Sequence, residues 1–247
     1  MSFLDMYDMK VQPLLEQTEV FTIEGTSGNL KSEWLRRLCA LETPGSTALD
    51  CELVDAYLRL LGCRDIMPSS HWQDVKLEER VTVVDANALG LQLVELRHSP
   101  DGRACIFFPV RVDSYWRAVV AFPIRSLLLT LDSGPRNDAN RKAEVRVMCK
   151  FLELLRPIYP QLKMMQSGHR LFPKHAARRD AGVAVCMAAS HLMFLDDEDE
   201  QFRLAKSSDC TLDWGFSLAE KDVELVRKSM FLQLLGEDPK DINLDLF

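Results

Sequence analysis

Residues 106–133 read IFFPVRVDSYWRAVVAFPIRSLLLTLDS and are the most informative part of the sequence about the fold. It contains successive apolar runs rich in β-branched and aromatic residues, and a tight turn at Pro123 separates the last two runs. Such runs are typical of central strands in a sheet. The last strand pair begins with Tyr115-Trp116 and ends with Asp132-Ser133, so polar groups are predicted where the strands start and stop.

A second informative stretch, residues 173–186, reads PKHAARRDAGVAVC. A polar approach leads into an Asp-x-Gly turn, and an apolar run follows. The apolar run predicts a buried helix over residues 182–195. The polar approach and the turn contain His175, Arg178, Arg179, Asp180, Ala181 and Gly182.

Together the two stretches resemble the core of the ubiquitin-like-protein (SUMO-type) cysteine proteases. That family has His-Trp, an Asp seventeen residues after the His, then a Gln, and then Asp-Cys-Gly. Trp116, Asp132, Asp180 and Gly182 match this pattern, and further matches in order extend the resemblance over residues 47–235. The resemblance implies an α+β chain with the papain-like, adenain-like cysteine protease fold, in which helices flank a central mixed sheet.

The match fails at the three reactive positions. Tyr115 stands where the family has its His, His175 where it has the Gln, and Ala181 where it has the nucleophilic Cys. A thiol protease needs a thiolate that a neighbouring imidazole generates and a carboxylate orients. A methyl group cannot attack a carbonyl, and a phenol with a pKa of about 10 is a poor base at pH 7. The resemblance therefore implies that no catalytic residue set is intact.

Two functional interpretations follow from this pattern. The favoured one is a pseudoprotease that serves as a protein-binding or scaffold subunit, with a ubiquitin-like protein or a subunit of a larger complex as its partner. The alternative is an active ubiquitin-like-protein-specific cysteine protease in which Ala181 replaces the nucleophile. Cys186 is not expected to substitute for that nucleophile, because a thiol inside an apolar helix has a raised pKa and is inert.

Several site residues have more than one interpretation. Trp116 either covers the channel that threads the diglycine tail of a substrate in active relatives, or is simply a large core residue. Asp132 could accept a structural hydrogen bond from Tyr115 or from His175. The basic pair Arg178-Arg179 is either a solvated loop or a surface that steers an acidic partner segment.

Composition limits the function further. The 247 residues are 47% apolar and 27% charged, as in an ordinary globular domain, and the net charge of −7 argues against general nucleic-acid binding. No apolar run is long enough for a membrane helix, and no cofactor or metal motif is present. Seven cysteines without paired spacing predict reduced thiols, and hence the nucleus or cytoplasm.

We expect a single folded domain with additions at both ends. Residues 1–46 are predicted to form an N-terminal extension with one helix, residues 47–236 the protease-like domain, and residues 237–247 an acidic and apolar tail. Within the domain, residues 137–155 are predicted to form a helix with a capping Asn137 or Asp138. Its expected inward residues are Val145, Met148, Cys149, Leu152 and Leu155.

Overall fold

The structure is a computed structural model. It describes residues 6–11, 20–22, 29–31, 35–36, 38–39, 49–61, 106–112, 115–135, 137–164, 172, 178–193 and 220–236. The predicted boundary after residue 46 and the predicted tail 237–247 lie outside these residues.

The main sheet has four strands: β3 (Ile106–Val112), β4 (Tyr115–Phe122), β5 (Leu127–Leu131) and β6 (Lys163–Met164). They lie in the order β3-β4-β5-β6. The first two pairings are antiparallel and the last is parallel, so the sheet is mixed, as predicted. A separate antiparallel pair joins β1 (Val20–Thr22) to β2 (Asn29–Lys31).

The longer helices among the described residues are α1 (Cys51–Leu60), α2 (Asp138–Leu155), α3 (Ala181–Met193) and α4 (Glu220–Leu234). A 3₁₀ turn, Arg178–Asp180, leads directly into α3. The helix predicted at 182–195 is therefore present and begins one residue earlier.

Alternation along β4 divides the interior into two layers. Trp116, Ala118, Val120 and Phe122 point into a large core that includes residues of α1, α3 and α4. The alternate residues Val119 and Ala121 point into a second core beneath α2. Because successive side chains of a strand point to opposite faces, one strand supports both layers and is buried along its whole length.

Helix α2 begins as predicted but is rotated relative to the prediction. The Asn137 side chain accepts a hydrogen bond from the backbone N–H of Asn140 at 2.8 Å, which caps the helix. The predicted inward residues Val145 and Cys149 are instead exposed, and that part of the prediction is wrong. The buried side of α2 consists of Val147, Met148, Phe151, Leu152 and Leu155.

Candidate functional site

Tyr115 is the first residue of β4 and is almost fully buried. Its hydroxyl lies 3.4 Å from the hydroxyl of Ser133. Burial raises the pKa of Tyr115 to about 12, and the charge of Asp132, together with a hydrogen bond that the phenol donates to its carboxylate, adds to that rise. At neutral pH the phenol is therefore protonated and cannot act as a general base.

The carboxylate of Asp132 lies just beyond the end of β5 and is buried. Its Oδ2 accepts hydrogen bonds from Arg117 Nε at 2.8 Å and from Asn140 Nδ2 at 3.1 Å. Its Oδ1 accepts a hydrogen bond from the backbone N–H of Gly134 at 2.6 Å. Both oxygens are thus engaged, and the ion pair with Arg117 is shielded from water on both sides.

Arg117 was not singled out from the sequence, although the sequence contained a signal for it. A cation inside the apolar run YWRAVVAF must find an anion, because an isolated buried charge is very costly. The strand register pairs Ala118 with Leu131, so Arg117 and Asp132 face each other one step further along. Arg117 also donates from Nη2 to Asn140 Oδ1 at 2.6 Å and lies with Cζ 4.8 Å from the Tyr115 ring centre.

Gly134 permits this dense packing. A Cβ atom at this position would lie 2.6 Å from the Tyr115 hydroxyl and 2.8 Å from Asp132 Oδ1. Since real Cβ atoms do not approach other atoms so closely, only glycine fits beside these two side chains.

Trp116 is a core residue in this structure. It is fully buried, and its indole Nε1 donates to the backbone carbonyl of Leu49 at 2.8 Å. A Cβ on Gly182 would lie 3.0 Å from Trp116 Cδ1 and 3.1 Å from Leu49 Cβ, so α3, Trp116 and Leu49 are in close contact. The core interpretation of Trp116 fits this packing, and Leu49 lies where Trp116 and Gly182 meet.

The buried residue Ala181 begins α3, and Asp180 precedes it at the end of the 3₁₀ turn. Asp180 Oδ1 accepts hydrogen bonds from Arg227 Nε at 2.9 Å and Nη2 at 2.5 Å. Arg227 also donates to the backbone carbonyls of Leu38 and Arg179, at 3.0 and 2.8 Å. The start of α3 is therefore held by a buried ion pair that reaches across to α4.

The predicted basic pair is only partly described. Arg179 is half-buried and its Nε lies 3.4 Å from Asp180 Oδ2, so it adds to the ion pair at the start of α3. The side chain of Arg178 and all of His175 lie outside the described residues. Whether His175 approaches Asp132 stays a prediction.

Cys186 lies inside α3 and is fully buried. Burial, with a further contribution from the charge of Asp55, raises the pKa of its thiol far above the usual range. A thiol that does not ionise is a poor nucleophile. Cys186 is therefore a packing residue, in keeping with the sequence-based interpretation.

No protein-family model matches this chain, and no curated protein matches it in sequence. Solved structures do match it. The C-terminal Ulp1 protease domain in complex with Smt3, the yeast ortholog of SUMO, aligns with 93% of this chain and 94% of its own, at 15% identity and a TM-score of 0.59. The Chaetomium thermophilum Ulp1-like SUMO protease catalytic domain aligns with 98% of this chain and 93% of its own, at 17% identity and a TM-score of 0.57.

The chain thus has the fold of the Ulp-type SUMO protease catalytic domain. This confirms the predicted α+β fold class and the resemblance on which it was based. Identities of 15 and 17% establish the fold alone. Among the described residues, no helix is long and apolar enough to cross a bilayer.

Proposed function

We propose that this chain is a pseudoprotease, a domain with the SUMO-protease fold that binds protein partners as a scaffold subunit and does not cleave them. The observation that carries the proposal is the buried ion pair between Arg117 and Asp132. In a thiol protease the carboxylate orients an imidazole, which in turn ionises the thiol. Here the carboxylate is paired with a guanidinium, and the residue that the resemblance aligns with the imidazole, Tyr115, is a protonated phenol.

The chemistry of Tyr115 supports the same conclusion. Because burial raises its pKa to about 12, Tyr115 is protonated at pH 7. Ala181 offers no atom that could attack a carbonyl, and the buried Cys186 thiol is not ionised. Because the Tyr115 phenol is protonated at neutral pH, a cysteine restored at position 181 would find no base at position 115, which weighs against the alternative of an active protease that has lost only its nucleophile.

Cleavage assays on a graded series of variants test this proposal. The substrate is a SUMO fusion with a reporter after the Gly-Gly end. The series comprises the unmodified chain, Ala181→Cys, Tyr115→His with Ala181→Cys, and the triple variant that adds Arg117→Ser. We expect no cleavage by the first two. We expect the triple variant to exceed the double variant, because removing the guanidinium frees Asp132 for the new imidazole.

Cleavage by the unmodified chain would refute the proposal directly. Cleavage by Ala181→Cys alone would support the alternative, since it would mean that the remaining groups form a working site. Melting temperatures measured for each variant distinguish an inactive folded domain from an unfolded one.

The proposed partner is a protein, and a ubiquitin-like protein is the first to test because one structural neighbour was solved in complex with Smt3. Trp116 is fully buried, and Leu49 and Gly182 are packed closely against it. We therefore expect that any such partner is bound through its folded body. Calorimetric titration with SUMO, with and without its last two glycines, should give the same affinity. A large loss of affinity on removing the glycines would contradict this mode of binding.

The proposal extends to location. A scaffold that binds ubiquitin-like proteins would act in the nucleus or cytoplasm, where reduced cysteines are expected. Nucleic acid and membranes are not among the proposed partners, and no cofactor is needed.

A further inference from the structure

The outward side of helix α2 carries three cations and two apolar residues: Arg141, Lys142, Val145, Arg146 and Cys149. All five are exposed, and we call them the basic face. The opposite side of α2 packs into the core under the sheet. The basic face is therefore a solvent-facing surface on a firmly anchored helix.

The charges of the basic face are not neutralised within the part of the chain that the structure describes. Arg141, Lys142 and Arg146 form no ion pair with any described carboxylate, whereas Lys150 on the same helix pairs with Glu153 at 2.7 Å. Lys142 and Arg146 are four residues apart, a spacing at which like charges destabilise a helix by about 0.2–0.5 kcal/mol. An anionic partner would remove this repulsion.

The surface also has a suitable shape. A shallow open depression of about 370 Å³ lies on this side of α2 and is lined by Asp138, Arg141, Lys142, Val145 and Arg146. Val145 is 38% exposed, which is unusual for a large aliphatic side chain in the described part of this protein. Arginine and lysine side chains contribute aliphatic stems as well as charge, so the lining offers apolar contact beside Val145.

We propose that the basic face docks an acidic protein segment that places one apolar side chain against Val145. Charge complementarity carries the choice of occupant, because three cations and one carboxylate, Asp138, line the depression and leave it positively charged on a chain whose net charge is −7. An apolar side chain fits the depression, which a purely anionic ligand would leave unfilled. Three cations would neutralise few phosphates, and the overall negative charge repels a nucleic acid.

This docking surface does not depend on the proposed loss of catalysis. Its helix contributes Asn140 to the hydrogen bonds around Asp132, but the residues of the basic face are exposed on its outward side, and Ala181 and Trp116 belong to the core layer on the other side of the sheet. The two proposals can therefore fail independently.

Fluorescence anisotropy with a labelled peptide tests the proposal on the full chain. The probe is a 12-residue peptide of Asp and Glu with Leu and Phe at its centre, and a second peptide replaces the two apolar residues with Ser. The variant Arg141→Glu with Arg146→Glu should weaken probe binding about tenfold. The control Arg125→Glu with Lys163→Glu makes the same change of charge at exposed positions outside the basic face and should have little effect.

Val145→Ser tests the apolar contact without changing charge. It should weaken binding of the Leu-Phe peptide and leave binding of the Ser peptide unchanged. Because all these positions are exposed, folding should persist, and circular dichroism checks this.

Several results would overturn the proposal. If the basic-face and control variants lost equal affinity for the probe, binding would depend on the net charge of the chain and not on this surface. Tighter binding of a 12-base-pair DNA duplex, lost in the same variant, would assign the surface to nucleic acid. Self-association that is seen in sedimentation and disappears in the Arg141→Glu, Arg146→Glu variant would assign the basic face to a second copy of this chain. If the probe did not bind at all, the proposal of a docking site would be wrong.

Discussion

Replacing Arg227 with Met should destabilise the fold more than any other single loss of charge on α4. The guanidinium makes two hydrogen bonds to Asp180 Oδ1 and one to each of the backbone carbonyls of Leu38 and Arg179. Methionine fills much of the same volume but donates no hydrogen bond. The substitution therefore isolates the polar contribution from the packing contribution.

The expected magnitude follows from burial. Both Arg227 and Asp180 side chains are at most 5% exposed, so solvent screens their interaction little. Removing one partner of a buried ion pair typically costs about 3–5 kcal/mol, because the other charge stays buried without compensation. Arg179 Nε, 3.4 Å from Asp180 Oδ2, is a more distant donor that would remain. For a domain of this size the loss corresponds to a melting temperature lower by about 6–20 °C.

Urea unfolding followed by circular dichroism measures the effect. The control is Lys150→Met, which breaks a pair whose side chains are 43 and 65% exposed and should change the free energy of unfolding by less than about 0.5 kcal/mol. Asp180→Asn combined with Arg227→Met should be less destabilising than Arg227→Met alone, since no buried anion is left. If Arg227→Met were no worse than the control, the ion pair would not hold the start of α3 and the reasoning would fail.

Three further predictions concern Tyr115, Gly182 and the cysteines. The folded-state pKa of Tyr115, about 12, exceeds its unfolded value, so its contribution to stability is complete below about pH 10 and is lost as the pH rises through 12. The variant Tyr115→Phe should therefore show a smaller decline in the free energy of unfolding between pH 10 and 12. An unchanged decline would contradict the raised pKa of Tyr115. Gly182→Ala places a Cβ 3.0 Å from Trp116 Cδ1 and should lower the free energy of unfolding by about 1–3 kcal/mol, with a change in tryptophan fluorescence. An unchanged free energy of unfolding would mean that the neighbouring side chains move to make room for the methyl group. Iodoacetamide at pH 8 should modify the exposed Cys149 of the native protein and leave the buried Cys186 unmodified, as measured by peptide mass spectrometry. Early labelling of Cys186 would show that its helix opens.

The sequence predicted the sheet well because its signals are local. The Pro123 turn and two apolar runs fix the β4–β5 pairing, and observed strands fall where the runs lie. Periodicity was less decisive for α2, because apolar residues occupy more than one side of that helix. Long-range packing resolves the ambiguity: the Phe151 ring lies against Phe108, with 5.0 Å between centroids, which turns Val145 and Cys149 outward.

The candidate site was harder to predict because its partners are distant in sequence. Motif spacing identified Tyr115 and Asp132 and suggested Tyr115 or His175 as a donor to Asp132. The hydrogen bond from Tyr115 is present, and His175 lies outside the described residues. Two further donors are Arg117, which faces Asp132 across the strand pair, and Asn140, which comes from the first turn of α2. Arg117 could have been deduced from the cost of an isolated buried cation, while Asn140 required knowing where α2 docks.

Asp132 shows why a matching residue is a weak indicator of a matching activity. A carboxylate at this position would orient an imidazole in a working site, but here its removal would strand the buried charge of Arg117. The structural role is sufficient to explain an aspartate at position 132, so its presence says nothing about residual catalysis. Under the proposed pseudoprotease function the informative residues are Tyr115 and Ala181, whose side chains are a protonated phenol and a methyl group.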